Sequence, residues 1–165
     1  MTYDWSKFVK RVSIKSDRET IYSSWATQQG LESWFLRVAA FTNAEGIPRG
    51  SADMVQMNDT YRWLWFGYGD DTVEYGTILE ANGKDRFRFT FSGGCIVTIR
   101  IIQEQNEMLC ELTQENIPLT EEGRVYYHIG CMKGWTFYLA NLKSILEGGI
   151  DLRNKNEKLA DVINA

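Results

Sequence analysis

The segment 120–148 constrains this chain more than any other part of it. Trp135, Tyr138, Leu139, Leu142, Ile145 and Leu146 recur there at intervals of three and four residues, the spacing of one amphipathic helix with a single apolar stripe. Pro118 and the pair Glu121–Glu122 open the helix, and Gly148 and Gly149 stop it. Apart from one short helical region, everything before it reads as strands. A lone helix that follows a run of strands has the sheet to bury its stripe against, so the sheet must wrap around it, and a cavity is expected between the two. Extended backward, the stripe reaches Met132, Cys131, His128 and Val125, which are smaller or more polar than its C-terminal half. Gly130 and Gly134 inside the helix each cost about 1 kcal/mol relative to alanine. Such a cost points to close approach of another backbone, or to room left for something else.

Residues 8–14 form the expected first strand. Ser16 and Glu19 have capping-box spacing and open a short helix from 18 to about 26, with Ile21, Tyr22 and Trp25 on one face; a second, 28–34, follows directly. From 36 to 116 the period drops to two, with strands expected at 36–41, 52–57, 60–66, 72–80, 86–91, 95–102 and 108–115. The separators are turn-forming, and Asn58–Asp59 and Asn82–Gly83 read as tight hairpin turns. Short connections make successive strands antiparallel, giving a meander. Alternation places Phe87, Phe89 and Phe91, Val97, Ile99 and Ile101, Val73, Tyr75 and Leu79, and Tyr61, Trp63 and Trp65 on one aromatic face. It points Asp53, Glu74 and Glu111 outward. The expected class is α+β: an antiparallel, six- to seven-stranded curved sheet wrapped around the long C-terminal helix, with two short helices after the first strand. The domain is expected to span 1–149. The charged, weakly periodic remainder, 150–165, reads as an extension that docks on a neighbour or on its own domain.

The 165 residues suit one domain, and six tryptophans in that length imply a wide aromatic core. The net charge is −4 and no Lys/Arg run exceeds two residues, so the electrostatic footprint of a nucleic-acid binder is missing. No apolar stretch is long enough to span a bilayer, and the N-terminal residues show no signal pattern. Cys95, Cys110 and Cys131 are odd in number and far apart, which suits reduced thiols in a soluble, cytoplasmic protein.

Three segments carry a family resemblance. The run from Thr27 to Trp34–Phe35 resembles the "small residue, helix, Trp-Phe" segment of the START-like (SRPBCC, helix-grip) superfamily. Gly76–Glu80 followed by Arg86–Phe91 is similar to its central hairpin. Gly134, Trp135, Leu139, Leu142, Leu146 and Glu147 resemble the long helix of the branch related to the activator of the ninety-kilodalton heat-shock-protein ATPase. The resemblance covers about residues 8–148. It implies the helix-grip fold more firmly than any one function, since such proteins include lipid carriers, hormone-binding proteins, cyclases, chaperone activators and stress-response proteins.

No residue pattern announces catalysis. His128 is the only histidine, with no carboxylate at helical spacing to orient it, and neither it nor the cysteines have metal-ligand spacing; no metal or cofactor is expected. What remains is an aromatic-lined cavity, with Trp63, Trp65, Tyr75, Phe89, Phe91 and Ile99 from the sheet and Trp34, Phe35, His128, Met132 and Trp135 from the helices as candidate ligand contacts. That lining suits a small hydrophobic or flat aromatic molecule; the competing reading is that these side chains fill the interior completely. A second function reading is a protein-interaction module with a chaperone partner or a second copy of the chain. The third is a cyclase- or hydrolase-like enzyme using His128.

Overall fold

A computed structural model describes residues 2–163. Seven strands form one antiparallel sheet: β1 (Phe8–Ser13), β2 (Val38–Thr42), β3 (Thr60–Leu64), β4 (Val73–Ala81), β5 (Arg86–Phe91), β6 (Cys95–Glu104) and β7 (Glu107–Glu115). Their spatial order is β1-β7-β6-β5-β4-β3-β2, so β2 to β7 run as a meander and β1 pairs with the last strand. Two short helices, α1 (Arg18–Ala26) and α2 (Gln28–Trp34), close one end of the sheet. The long helix has two parts, a π-helical segment (Gly123–Gly130) continued by α3 (Cys131–Leu146). The concave face carries the core, and the convex face carries ion pairs such as Arg11–Glu111 at 3.2 Å and Arg86–Glu80 at 3.0 Å.

Four local expectations are corrected. The cap of α1 is Asp17, whose carboxylate accepts from the Thr20 amide at 2.8 Å, in place of Ser16. Residues 52–57 form no strand. Val55 instead donates its amide to Ala26 at 2.8 Å and buries its side chain, so the segment is spent on covering the α1–α2 corner. Asn58–Asp59 consequently joins no hairpin; Asn58 has a positive φ of 73°, and the buried Asp59 carboxylate accepts from Arg49 at 2.5 and 2.9 Å. Asn82 does close a hairpin, its side-chain oxygen accepting from the amides of Lys84, Asp85 and Arg86.

The third correction concerns β4. Register sets Gly76 opposite Tyr61 and Glu74 opposite Trp63, so the concave face of this strand holds Glu74, Gly76 and Ile78, while Tyr75 is 65% exposed on the convex face. The cause is Tyr61. Its ring lies across Gly76, where a Cβ would be 2.4 Å away, and its hydroxyl donates to the Thr90 carbonyl of β5 at 2.6 Å. Only a residue without a side chain leaves that path open. The fourth concerns Val125, which is exposed. In the π-helical segment the buried residues are Gly123 and His128, five apart, matching the i→i+5 bonding of a π-helix and turning Val125 outward.

The extension beyond Gly149 is tied into the domain. Arg153 is only 7% exposed and donates to the carbonyls of Glu32, Ser33 and Leu36 at 2.9–3.0 Å, while Asn141 donates to the Trp34 carbonyl at 2.7 Å. These are carbonyls that the end of α2 leaves without helical partners. Asp151 pairs with the guanidinium at 2.8 Å. Burial by itself raises the Asp151 carboxyl, but hydrogen bonds from Arg153, Lys155 and Asn141 outweigh it and hold the group well below the usual carboxylate range.

Arg153→Ala removes the charge from a buried pair and strips those carbonyls, and should destabilise the domain by about 3 kcal/mol in urea titrations. Because the native Asp151 carboxyl is depressed, its contribution is complete above about pH 4 and fades as pH falls below that. The variant should therefore lose less stability than the parent protein when both are acidified below pH 4.

Candidate functional site

The space between sheet and helix is largely filled. Trp25 meets Trp34 with ring centroids at 4.6 Å, Phe35 meets Trp135 at 5.0 Å, and Trp63 meets Phe89 at 5.1 Å. Trp34, Trp63, Phe89 and Ile99 are completely enclosed in this core. One polar residue lies in its midst. Gln114 of β7 is fully buried, accepts from the Trp135 indole N–H at 2.9 Å and donates to the Tyr127 carbonyl at 2.9 Å.

Open volume begins where the aromatic packing stops. A cavity of about 1260 Å³ is lined by Phe35, Trp65 and Phe91 on the sheet side and by Cys131, Met132, Trp135 and Tyr138 on the helix, with Leu159–Ile163 of the extension as an outer wall. Gly130 and Gly134 also face it, so the glycines inside the helix coincide with empty space. Of the expected contacts, the structure brings Phe35, Trp65, Phe91, Met132 and Trp135 together around this cavity. Trp34, Trp63, Phe89 and Ile99 stand behind it as core, and Tyr75 is on the far face of the sheet.

His128 is fully buried and caged by Tyr3, Trp5 and Phe8, with ring centroids 5.1–5.4 Å away. Its Nδ1–H donates to the Trp5 carbonyl at 3.0 Å and its Nε2 accepts from the Tyr3 hydroxyl at 2.8 Å. A neutral ring with its proton on Nδ1 satisfies both bonds, and the histidine is turned to the N-terminal segment and away from the cavity. Its orienting partners come from the first residues of the chain, which no spacing rule within the helix could reveal.

Sequence reasoning also missed Glu74. Directed onto the concave face by the register of β4, it accepts from the Ser92 hydroxyl at 2.6 Å. Burial raises its carboxyl above the usual value, and the Ser92 bond offsets this in part. The available signal was Gly76, since a glycine inside a strand marks close approach of another group and fixes which face is inward. The three thiols are all free. Burial pushes Cys110 up to about 12 and Cys95 up to about 11. Cys131 is pushed up by burial as well, with Gln114 acting against this and the charge of Glu74 adding to it.

Sheet, long helix and terminal cavity together define a START-like helix-grip domain. A family model described as "Activator of Hsp90 ATPase homolog 1-like protein" matches residues 15–147, and the chain belongs to that family. No curated protein matches it significantly in sequence. Among solved structures, a crystal structure of a Staphylococcus saprophyticus protein superposes with a TM-score of 0.68 at 17% identity, covering 89% of this chain and 96% of that one. The Aha1 dimer from Colwellia psychrerythraea, solved in solution, gives 0.64 at 18% identity, covering 87% and 97%. At these identities the likeness fixes the fold.

Two measurements check the site geometry. In alkylation at pH 8 followed by mass spectrometry, Cys131, half-buried at the cavity wall, should be modified well ahead of the enclosed Cys95 and Cys110. Gln114→Leu leaves the Tyr127 carbonyl and the Trp135 indole unpaired in the core, and should cost about 2–3 kcal/mol of stability.

Proposed function

We propose that this chain is a binding module for a small hydrophobic or aromatic molecule, taken up in the cavity beside the long helix. The observation that carries this reading is the cavity wall: Phe35, Trp65, Phe91, Met132 and Trp135 present flat apolar surface around about 1260 Å³ of open space. Concave, mostly apolar sites with a few polar groups are where small ligands bind. The absence of any helix among the described residues long and apolar enough to cross a membrane, together with three free cysteines, supports placing this activity in a soluble protein of a reducing compartment such as the cytoplasm.

A neutral fluorescent probe such as N-phenyl-1-naphthylamine should bind the native protein, and bound probe should slow alkylation of Cys131. Met132→Trp adds a ring to the helical wall of the cavity and should weaken probe binding while the thermal melt stays within a few degrees of the parent. Phe89→Trp, by contrast, enlarges a side chain that is fully enclosed, and should lower stability by about 1–3 kcal/mol through overpacking. A probe affinity left unchanged by Met132→Trp removes the cavity as the site.

A second reading, a protein-interaction module of the co-chaperone kind, is favoured by one feature. Leu119, Val125, Tyr126 and Ile129 are exposed along the start of the long helix, an apolar strip of the kind that marks contact surfaces. The family description names an ATPase activator, and one structural neighbour is described as a dimer. If this strip joins two copies, Tyr126→Lys should halve the mass seen by sedimentation; a parent protein that is already monomeric sets the dimer aside.

A further inference from the structure

Two neighbouring basic residues of β1 meet opposite surroundings. Arg11 points outward and is in ion pairs with Glu104 and Glu111. Lys10 points inward. Register sets Phe8, Lys10 and Val12 opposite Gln114, Leu112 and Cys110, and these three β7 residues are fully buried, so Lys10 shares the concave face with the core. It is half-buried and lines the cavity, and among the described residues it is in no ion pair. A second lysine, Lys133, is on the helical wall between Met132 and Gly134, which also line the cavity. Among the described residues it too has no acidic partner. The acid on the lining is Asp161 of the extension, which is paired with neither lysine.

The chain as a whole has 22 acidic against 18 basic side chains, yet the lining of this cavity carries two lysines and one aspartate. Two ammonium groups bordering one confined, largely apolar space repel each other and lose part of their water. An anion that enters with the ligand offsets both costs. An inward lysine on an edge strand also discourages the addition of a further strand, but that role calls for neither a cavity nor a second cation on the facing wall. No arginine is on the lining, so the planar fork that suits phosphate is missing, and one surplus positive charge matches a singly charged head. We propose that the cavity takes an amphipathic monoanion: an aromatic or hydrophobic molecule carrying one carboxylate, with that group drawn to Lys10 and Lys133 and the apolar body along Met132, Trp135 and Phe91. The inference rests on the cavity being a ligand site, as proposed above, and adds the charge type of its ligand.

The test compares 2-naphthylacetate, ionised at pH 7, with 2-naphthylacetamide, its neutral isostere, by titration calorimetry on the full chain. The carboxylate should bind about tenfold more tightly than the amide, in line with a charge-assisted hydrogen bond. Lys10→Gln and Lys133→Gln should each cut that preference about threefold, and the double variant should erase it. The amide should bind every variant as it binds the parent protein. Asp161→Asn removes the opposing charge and should raise the preference, a gain that damage to the fold does not produce. Asp161 has a positive φ of 56°, a conformation that asparagine tolerates. Equal binding of both probes to the parent protein overturns the inference and leaves the cavity as a site for neutral ligands. A preference unchanged in the double lysine variant, a preference lowered by Asp161→Asn, or a loss of both probes alike in a folded variant also overturns it. Binding of neither probe removes this inference and the functional reading together.

Discussion

The fold hangs on one buried amide. Gln114 is a polar residue placed at the centre of an aromatic core, where an unsatisfied group would cost several kilocalories per mole. Its oxygen takes the indole N–H of Trp135, its nitrogen reaches the carbonyl of Tyr127, and these two residues lie in the two differently wound parts of the long helix. A single side chain from β7 therefore fixes both the rotation of α3 and the position of the π-helical segment. A carbonyl oxygen has two lone pairs, so that of Tyr127 can accept the Gln114 amide beside a bond within its own helix. The Tyr127 ring in turn rests on Gly93, where a Cβ would come within 2.5 Å of it, so the turn after β5 is held to the same helix.

Much of this architecture is legible in the residue pattern, because two periods carry it. The three- and four-residue spacing from Trp135 to Leu146 gives α3 and its buried face, and strict alternation in β5 and β6 gives a one-sided sheet. Legibility fails where one residue resets the phase. Gly76 yields its space to Tyr61 and so inverts the faces of β4, hiding Glu74 among residues that alternation points outward. The five-residue interval between Gly123 and His128 does the same for Val125. Residues 52–57 have strand-like alternation and are spent on capping the helical corner, a tertiary demand that local pattern does not contain. The cavity follows the same division: its aromatic composition is legible in the sequence, whereas which rings line it (Phe35, Trp65, Phe91, Trp135) and which close the core behind it (Trp34, Trp63, Phe89) is decided by packing.

The site combines features that seldom occur together in a filled core. Bulky rings at Trp25, Trp34, Trp63 and Phe89 remove empty space from the middle of the concave face, so what volume remains is displaced to one end. There the helix has glycines at 130 and 134, the sheet ends in Trp65 and Phe91, and the extension passes outside as Leu159–Ile163. Phe35, Trp135 and Tyr138 border this space and pack in the core at once, whereas Trp65, Phe91, Cys131 and Met132 around it are only partly buried.

The bonds made by Arg153 and His128 share a property that bears on how the chain reaches this state. Arg153 meets carbonyls 117 to 121 positions earlier, and His128 meets Tyr3 across 125. During synthesis α2 emerges early with bare carbonyls, and β1 emerges without the strand it pairs with, since that partner is β7. Neither can be completed until most of the polypeptide has left the ribosome. The nascent chain therefore carries unpaired strand edge and exposed aromatic surface for most of its translation, a topology that folds slowly and depends on late, long-range closure.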